Sequence, residues 1–309
     1  MKQVPLQLGI LSLLTGCAGS TSVPPPSSAQ VEAVGCEAPI GWDAVIARDP
    51  QFVVFGETHG TREAPRMFGD IVCALSRDGE RILVGVEHSS FYNAAFQQAW
   101  ALPPSEFGAA LLEAGWKGRE DGVASEAMFA MVRHLHALKE DGHSIDIVAF
   151  DGARDEAQRA RFAHLPGQGP HEAAQAENIA DAAAGAPYDR VLVLVGTLHA
   201  QSEPIALGAR EFTPMAGLLR TRGRVLTLKM THSGGTSWNC ILPANTKMAP
   251  GSRVTHDMLD CGAHPQGGGA RKTEDGPFIA LGSKARGDFD GEFHVGAVSA
   301  SPPAAPLEE

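Results

Sequence analysis

Five apolar segments of this chain each run directly into a carboxylate or an imidazole. Gln51–Gly56 (QFVVFG) is followed by Glu57-Thr58-His59, and Arg81–Val86 (RILVGV) by Glu87-His88. Ile145–Phe150 (IDIVAF) leads to Asp151, Arg190–Gly196 (RVLVLVG) to Thr197-Leu198-His199, and Val225–Met230 (VLTLKM) to Thr231-His232. Packing does not require ionisable groups at such positions, so five of five point to one shared site. A buried carboxylate beside an imidazole fixes one ring tautomer and tunes its basicity. Two histidines and a carboxylate can instead hold a divalent metal with an open water position, lowering the pKa of that water to about 7 in favourable zinc cases. Both chemistries use Glu57, His59, Glu87 and His199 as the catalytic set. The metal version takes Glu57, His59 and His199 as ligands, and sequence alone leaves the two versions open.

Local geometry ranks the candidates. Glu57 and His59 are two residues apart and point the same way on an extended chain. Gly56 and Gly60 flank them and permit a tight turn. Glu87 and His88 are adjacent and face opposite sides; Glu87 is assigned to the site and His88 is a secondary candidate. Asp151 is also secondary, because an aspartate there is equally suited to cap the next helix. His232 lies at the sheet margin. Arg62, just past the first motif, suits either an oxyanion or carboxylate clamp or a surface salt bridge. His134 and His136 sit on a helix at a spacing that does not share a face. A Gly-rich stretch, Gly267–Lys272 (GGGARK), lacks Walker A spacing and reads as a loop. No G-x-S-x-G elbow or H-E-x-x-H helix occurs, and no G-x-G-x-x-G follows the first segment.

Elements must bring these residues together. Continuous apolar runs suit strands of a sheet covered on both faces. Helical patterns alternate with them over Ala64–Asp78, Ser89–Ala99, Ser125–Glu140, His171–Ala184 and Pro214–Arg222. That alternation predicts an α/β fold with a largely parallel central sheet flanked by helices. Ligands bind at the carboxyl edge of such sheets, where all five ionisable ends would gather. We expect the α/β core over 36–232 and an irregular, β-containing C-terminal extension over 233–298. Residues 299–309 (SASPPAAPLEE) read as a disordered tail. The 309 residues carry a net charge of −11, which excludes a general nucleic-acid binder.

The N-terminus, with Lys2, an apolar run from Val4 to Leu14 and then Leu14-Thr15-Gly16-Cys17, resembles a bacterial lipoprotein signal peptide. The run is too short to span a bilayer. The resemblance implies cleavage after residue 16, lipidation of Cys17 and a membrane anchor. With Ala18 following, it implies an outer-membrane location facing the periplasm. Residues 17–35 then form a flexible, Pro-rich linker. Four cysteines remain, an even number that suits two disulfides in an oxidising compartment. Of three connectivities we expect Cys36–Cys73 and Cys240–Cys261.

The motifs FGETHG (Phe55–Gly60) and VGTLHA (Val195–Ala200), with Glu87 between them, resemble a superfamily that includes ChaN-like haem-binding lipoproteins, Tiki/TraB metalloproteases and erythromycin esterases. The likeness covers roughly residues 45–232. Its branches imply peptide hydrolysis with a divalent metal, ester hydrolysis without an obligatory metal, or haem binding for iron uptake. Haem ligation in the ChaN-like branch resembles a Tyr/His pair, whereas Tyr92 and Tyr188, the two tyrosines here, do not directly follow a strand. The leading expectation is an exported hydrolase of a small-molecule, ester or peptide substrate. The rivals are a haem- or iron-binding lipoprotein without turnover and a non-catalytic envelope scaffold.

Overall fold

The computed structural model describes residues 36–207, 210–244, 246, 254–269, 276–282 and 288–305. The expected signal segment, Cys17 and the linker to residue 35 lie outside these residues, as do residues 270–272 of the Gly-rich stretch. The elements run α1 (Trp42–Ile46), β1 (Phe52–Glu57), α2 (Glu63–Arg77), β2 (Ile82–Ser89), α3 (Asn93–Trp100), α4 (Pro104–Glu113) and α5 (Glu126–Glu140). They continue with β3 (Ile145–Asp151), α6 (Glu156–Phe162), α7 (Gly169–Ala183), β4 (Arg190–Gly196), β5 (Ile205–Leu207), β6 (Arg210–Phe212) and α8 (Met215–Leu219). The C-terminal part holds β7 (Val225–Thr231), β8 (Gly235–Ile241), β9 (Asp260–Gln266), β10 (Phe278–Leu281) and β11 (Gly291–His294).

Alternation along each strand divides the core. Val53 and Phe55 of β1 face one way, against Ile71 and Val72 of α2 and Val132 and Leu135 of α5. Phe52 and Val54 face the other way, against Ile179 of α7 and Met215 and Leu219 of α8. Both faces of the sheet are therefore covered, which is why its strands read as unbroken apolar runs rather than alternating ones. Each large apolar side chain buried this way contributes about 1.5–3 kcal/mol. Pro65 sits in the first turn of α2, where a missing N–H leaves no helical bond unmade.

The seven-stranded sheet has the order β10-β11-β7-β1-β4-β2-β3. All five expected strands run parallel, so their carboxyl ends share one edge. The structure corrects the expected boundary at residue 232, because β11 pairs parallel with β7 and β10 pairs antiparallel with β11. The C-terminal extension is β-containing as expected: β10 and β11 join the edge of the central sheet, and β8–β9 form a two-stranded sheet of their own. The disordered-tail expectation is corrected over 299–305. Ala300 bridges Thr61, Pro303 bridges Ser125, and Ser301 is fully buried. Its Pro-rich composition disfavours regular structure of its own but not an extended segment paired to another part of the chain. Both expected disulfides are present: Cys36–Cys73 ties the start of the domain to α2, and Cys240–Cys261 crosses the β8–β9 hairpin. Among the described residues no helix is long and apolar enough to cross a membrane.

Candidate functional site

Strand β1 ends on Glu57, in register with Gly196 at the end of β4. Beyond Glu57 the chain turns through Gly60, whose φ of +72° is left-handed. A side chain at Gly60 would strike the carbonyl of Trp238 in β8, so glycine is required by both backbone and neighbour. The turn brings the His59 ring back toward the sheet. His59 Nδ1 lies 3.0 Å from Glu57 Oε1, and its Nε2 lies 3.2 Å from Glu87 Oε2. Glu87 comes from β2, and its Oε2 also accepts the Gly196 N–H at 2.5 Å. A Cβ on Gly196 would stand 2.7 Å from His59 Nε2, so the absence of a side chain there lets ring and carboxylate close over β4.

The contacts continue across the edge. Glu87 Oε1 is 3.4 Å from His199 Nε2, and His199 Nδ1 is 2.8 Å from Glu172 Oε1. Glu172, in the first turn of α7, also accepts the Met215 N–H at 2.8 Å. The result is an alternating series, Glu57–His59–Glu87–His199–Glu172. The imidazoles are its outward members, with side chains 29% and 19% exposed against 2%, 9% and 0% for the three carboxylates.

Electrostatics follows from that layering. Burial pushes the Glu57 carboxyl above its ordinary range, with the His59 contact opposing it. Burial pulls His59 down, but the Glu87 charge and contacts to both carboxylates outweigh it and hold the imidazolium well above the usual histidine range. Burial pushes Glu87 up, and the two histidines with the Gly196 N–H outweigh it, so Glu87 lies below the usual range. His199 is raised: the bond to Glu172 and the charges of Glu87, Glu172 and Asp151 overcome burial.

The four catalytic candidates are therefore brought together. Among the secondary candidates, Asp151 adjoins the set and the others do not. Asp151 does not cap the next helix; Asp155 does, accepting the Gln158 N–H at 2.7 Å. Asp151 instead pairs with His171 at 2.9 Å, and the His171 ring lies 5.6 Å from that of His199. His88 points to the opposite face, as strand alternation requires. It donates Nε2–H to the Ala114 carbonyl at 2.7 Å and stacks on Trp116. Arg62 bonds the Ala300 carbonyl and pairs with Glu126 on the surface. His232 accepts the Gly234 N–H within its own turn. Tyr92 packs near His88, and Tyr188 donates to Asp146 at 2.9 Å, so neither tyrosine joins the histidines of the site.

The donor set does not fit a metal. Glu57, His59 and His199 do not converge on one point. Among the described residues the one cluster of three close donors is Cys36, Cys73 and His134, and its two cysteines form a disulfide. Both ring nitrogens of His59 and of His199 already face carboxylates.

Sequence reasoning missed Glu172, His171 and Gln175. All three lie in or beside the first turn of α7. A helix that crosses over between parallel strands starts at the carboxyl edge, so its first turn was the place to look.

No protein-family model and no curated protein matches the chain. Solved structures do match. A variant of the erythromycin esterase EreC in its open conformation superposes with a TM-score of 0.60 at 12% identity, over 84% of this chain and 94% of that one. The chain shares the overall fold of that structure. A Bacillus cereus protein (TM-score 0.56, 10% identity, 86% and 96% coverage) shares it. So does a succinoglycan biosynthesis protein (0.55, 12%, 88% and 95%).

Proposed function

We propose that this domain hydrolyses small-molecule carboxylic esters, with His59 as the proton acceptor for the attacking water. The observation that carries the reading is the buried carboxylate series behind two partly exposed imidazoles at the carboxyl edge. The fold shared with an erythromycin esterase supports it. Glu57 accepts the Nδ1–H of His59 and so selects the tautomer whose Nε2 takes a proton. Water adds to the ester carbonyl carbon as that proton moves. His199 keeps its Nδ1 on Glu172 and turns its Nε2–H, the loosest contact of the series, to the developing oxyanion. Collapse breaks the bond to the leaving oxygen, which takes up a proton and departs as the alcohol; the acid is released and His59 returns the proton it took from water to solvent. The two disulfides support placing the domain in an oxidising compartment, in line with the lipoprotein reading of the N-terminus.

The test is hydrolysis of p-nitrophenyl acetate and of a macrolactone by the purified protein and its His59→Ala variant. We expect the variant to lose about 100-fold or more in kcat/KM while its thermal unfolding is kept. The wild-type rate should rise with pH through an inflection above about 6.5, because His59 must lose its raised proton to act as base. Equal rates in the two proteins would overturn the reading. A wild type that hydrolyses neither ester but gives a Soret band on haem titration would favour the binding rival.

A further inference from the structure

Beside the Glu57–Glu172 series, His171 has a ring nitrogen without a hydrogen-bond partner among the described residues. His59 and His199 each have both nitrogens within 3.4 Å of carboxylates. His171 differs. Its Nε2 lies 2.9 Å from Asp151 Oδ1, and Gln175 Nε2 donates to the same oxygen at 2.8 Å. Its Nδ1 has no hydrogen-bond partner among the described residues. On that side stands Gly152, at a φ of +69°, where a Cβ would sit 3.5 Å from Nδ1. The missing side chain leaves room there for a substrate atom. The ring is 38% exposed and its centroid lies 5.6 Å from that of His199, within the span of one ester group.

We propose that His171 is the general acid that protonates the leaving alkoxide, with Asp151 as its positioning residue. This rests on the ester-hydrolase reading. As the tetrahedral intermediate collapses, the carbon–oxygen bond to the leaving group breaks and its electron pair takes the Nδ1 proton of His171. The neutral ring, still paired through Nε2 to Asp151, regains a proton from solvent. The contact with Asp151 raises the His171 pKa against the opposing effects of burial and the neighbouring His199 charge, with Glu172 reinforcing the rise. Asp151 is held ionised for the role: burial would raise it, but His171, Gln175 and His199 bring it down to about 2.

The test is a leaving-group series with the full chain: p-nitrophenyl, phenyl and ethyl acetates, compared for wild type, His171→Gln and Asp151→Asn. A general acid matters little when the leaving oxygen departs as a stable anion and much when it does not. We expect His171→Gln to stay within about threefold of wild type on the p-nitrophenyl ester and to lose about 100-fold on the ethyl ester. Asp151→Asn should follow the same gradient with smaller losses. An even loss across the series, or none, in a protein that hydrolyses these esters overturns the role of His171 and leaves the ester-hydrolase reading standing. A wild type inactive on all three overturns both.

Discussion

At the residue scale, two adjacent side chains of β2 show how one strand divides chemistry from support. Glu87 turns to the site, while His88, 2% exposed, sits among Trp116, Phe96 and Tyr92 with its Nε2–H on a carbonyl. Burial, partly offset by the Ala114 bond, takes the His88 pKa down to about 4. The sign follows. The unfolded chain, at about 6.5, binds a proton before the folded chain does, so His88 costs stability as pH falls through that interval. The cost approaches about 3 kcal/mol by pH about 4, at about 1.4 kcal/mol per pKa unit. His88→Phe keeps the aromatic stack and removes the titration. Urea unfolding across that range should therefore show the difference in stability between wild type and variant shifting by about 3 kcal/mol in favour of the variant at acid pH. A difference constant with pH would show that His88 does not enter the fold neutral. The pair also marks what was legible in the sequence. Alternation on a strand separates Glu87 from His88 without any tertiary knowledge. Glu172 escaped because its role depends on where α7 begins in space, and its own neighbours carry no periodic signal for it.

At the element scale, the site is a product of three strand ends brought together at one edge. Gly196 of β4 lies beside Glu57 of β1 and donates to Glu87 from β2. Three parallel strands therefore meet at one glycine. The five apolar runs and their parallel order were readable because buried parallel strands must be continuous and β-branched. For the C-terminal part the β content and the Cys240–Cys261 staple were readable, but the pairing of β8–β9, β10 and β11 was not, since short strands interrupted by glycine and proline take their place from long-range contacts. Gly196→Ala tests the register argument. Its Cβ would come within 2.7 Å of His59 Nε2, and that ring must move. Overpacking costs about 1–3 kcal/mol, which a domain of this size tolerates. Misplacing a base by this much costs about 100-fold in rate. The expected result is an unchanged circular dichroism spectrum with kcat/KM down by about that factor. Unimpaired catalysis would show that His59 does not work in the position seen over β4.

At the scale of the whole molecule, the last described segment closes the structure on the turn that carries His59. Ser299 donates through its N–H and hydroxyl to Glu63, and Ala300 N–H reaches Thr236. Ser301 N–H donates at 2.8 Å to the Gly60 carbonyl, which also accepts the Trp238 N–H of the disulfide-crossed hairpin at 2.9 Å. Farther on, Ser301 Oγ and the Pro302 carbonyl accept the Ala127 and Glu126 N–H groups, two of the donors that α5 cannot satisfy itself. The segment thus caps a core helix and anchors the residue that follows His59. A chain ending at Val298 loses these bonds together. At about 0.5–1.5 kcal/mol net for each, with the buried Ser301 lost as well, about 3 kcal/mol or more of stability should go. That corresponds to a Tm lowered by about 6–12 °C for a domain of this length. Because Gly60 would lose one of its two backbone partners, ester hydrolysis at a temperature where the truncated protein is still folded should fall as well. Thermal unfolding separates the two effects from simple denaturation. A truncated chain that keeps both Tm and rate would mean that residues 299–305 rest on the surface without holding it, and that the hairpin alone fixes the His59 turn.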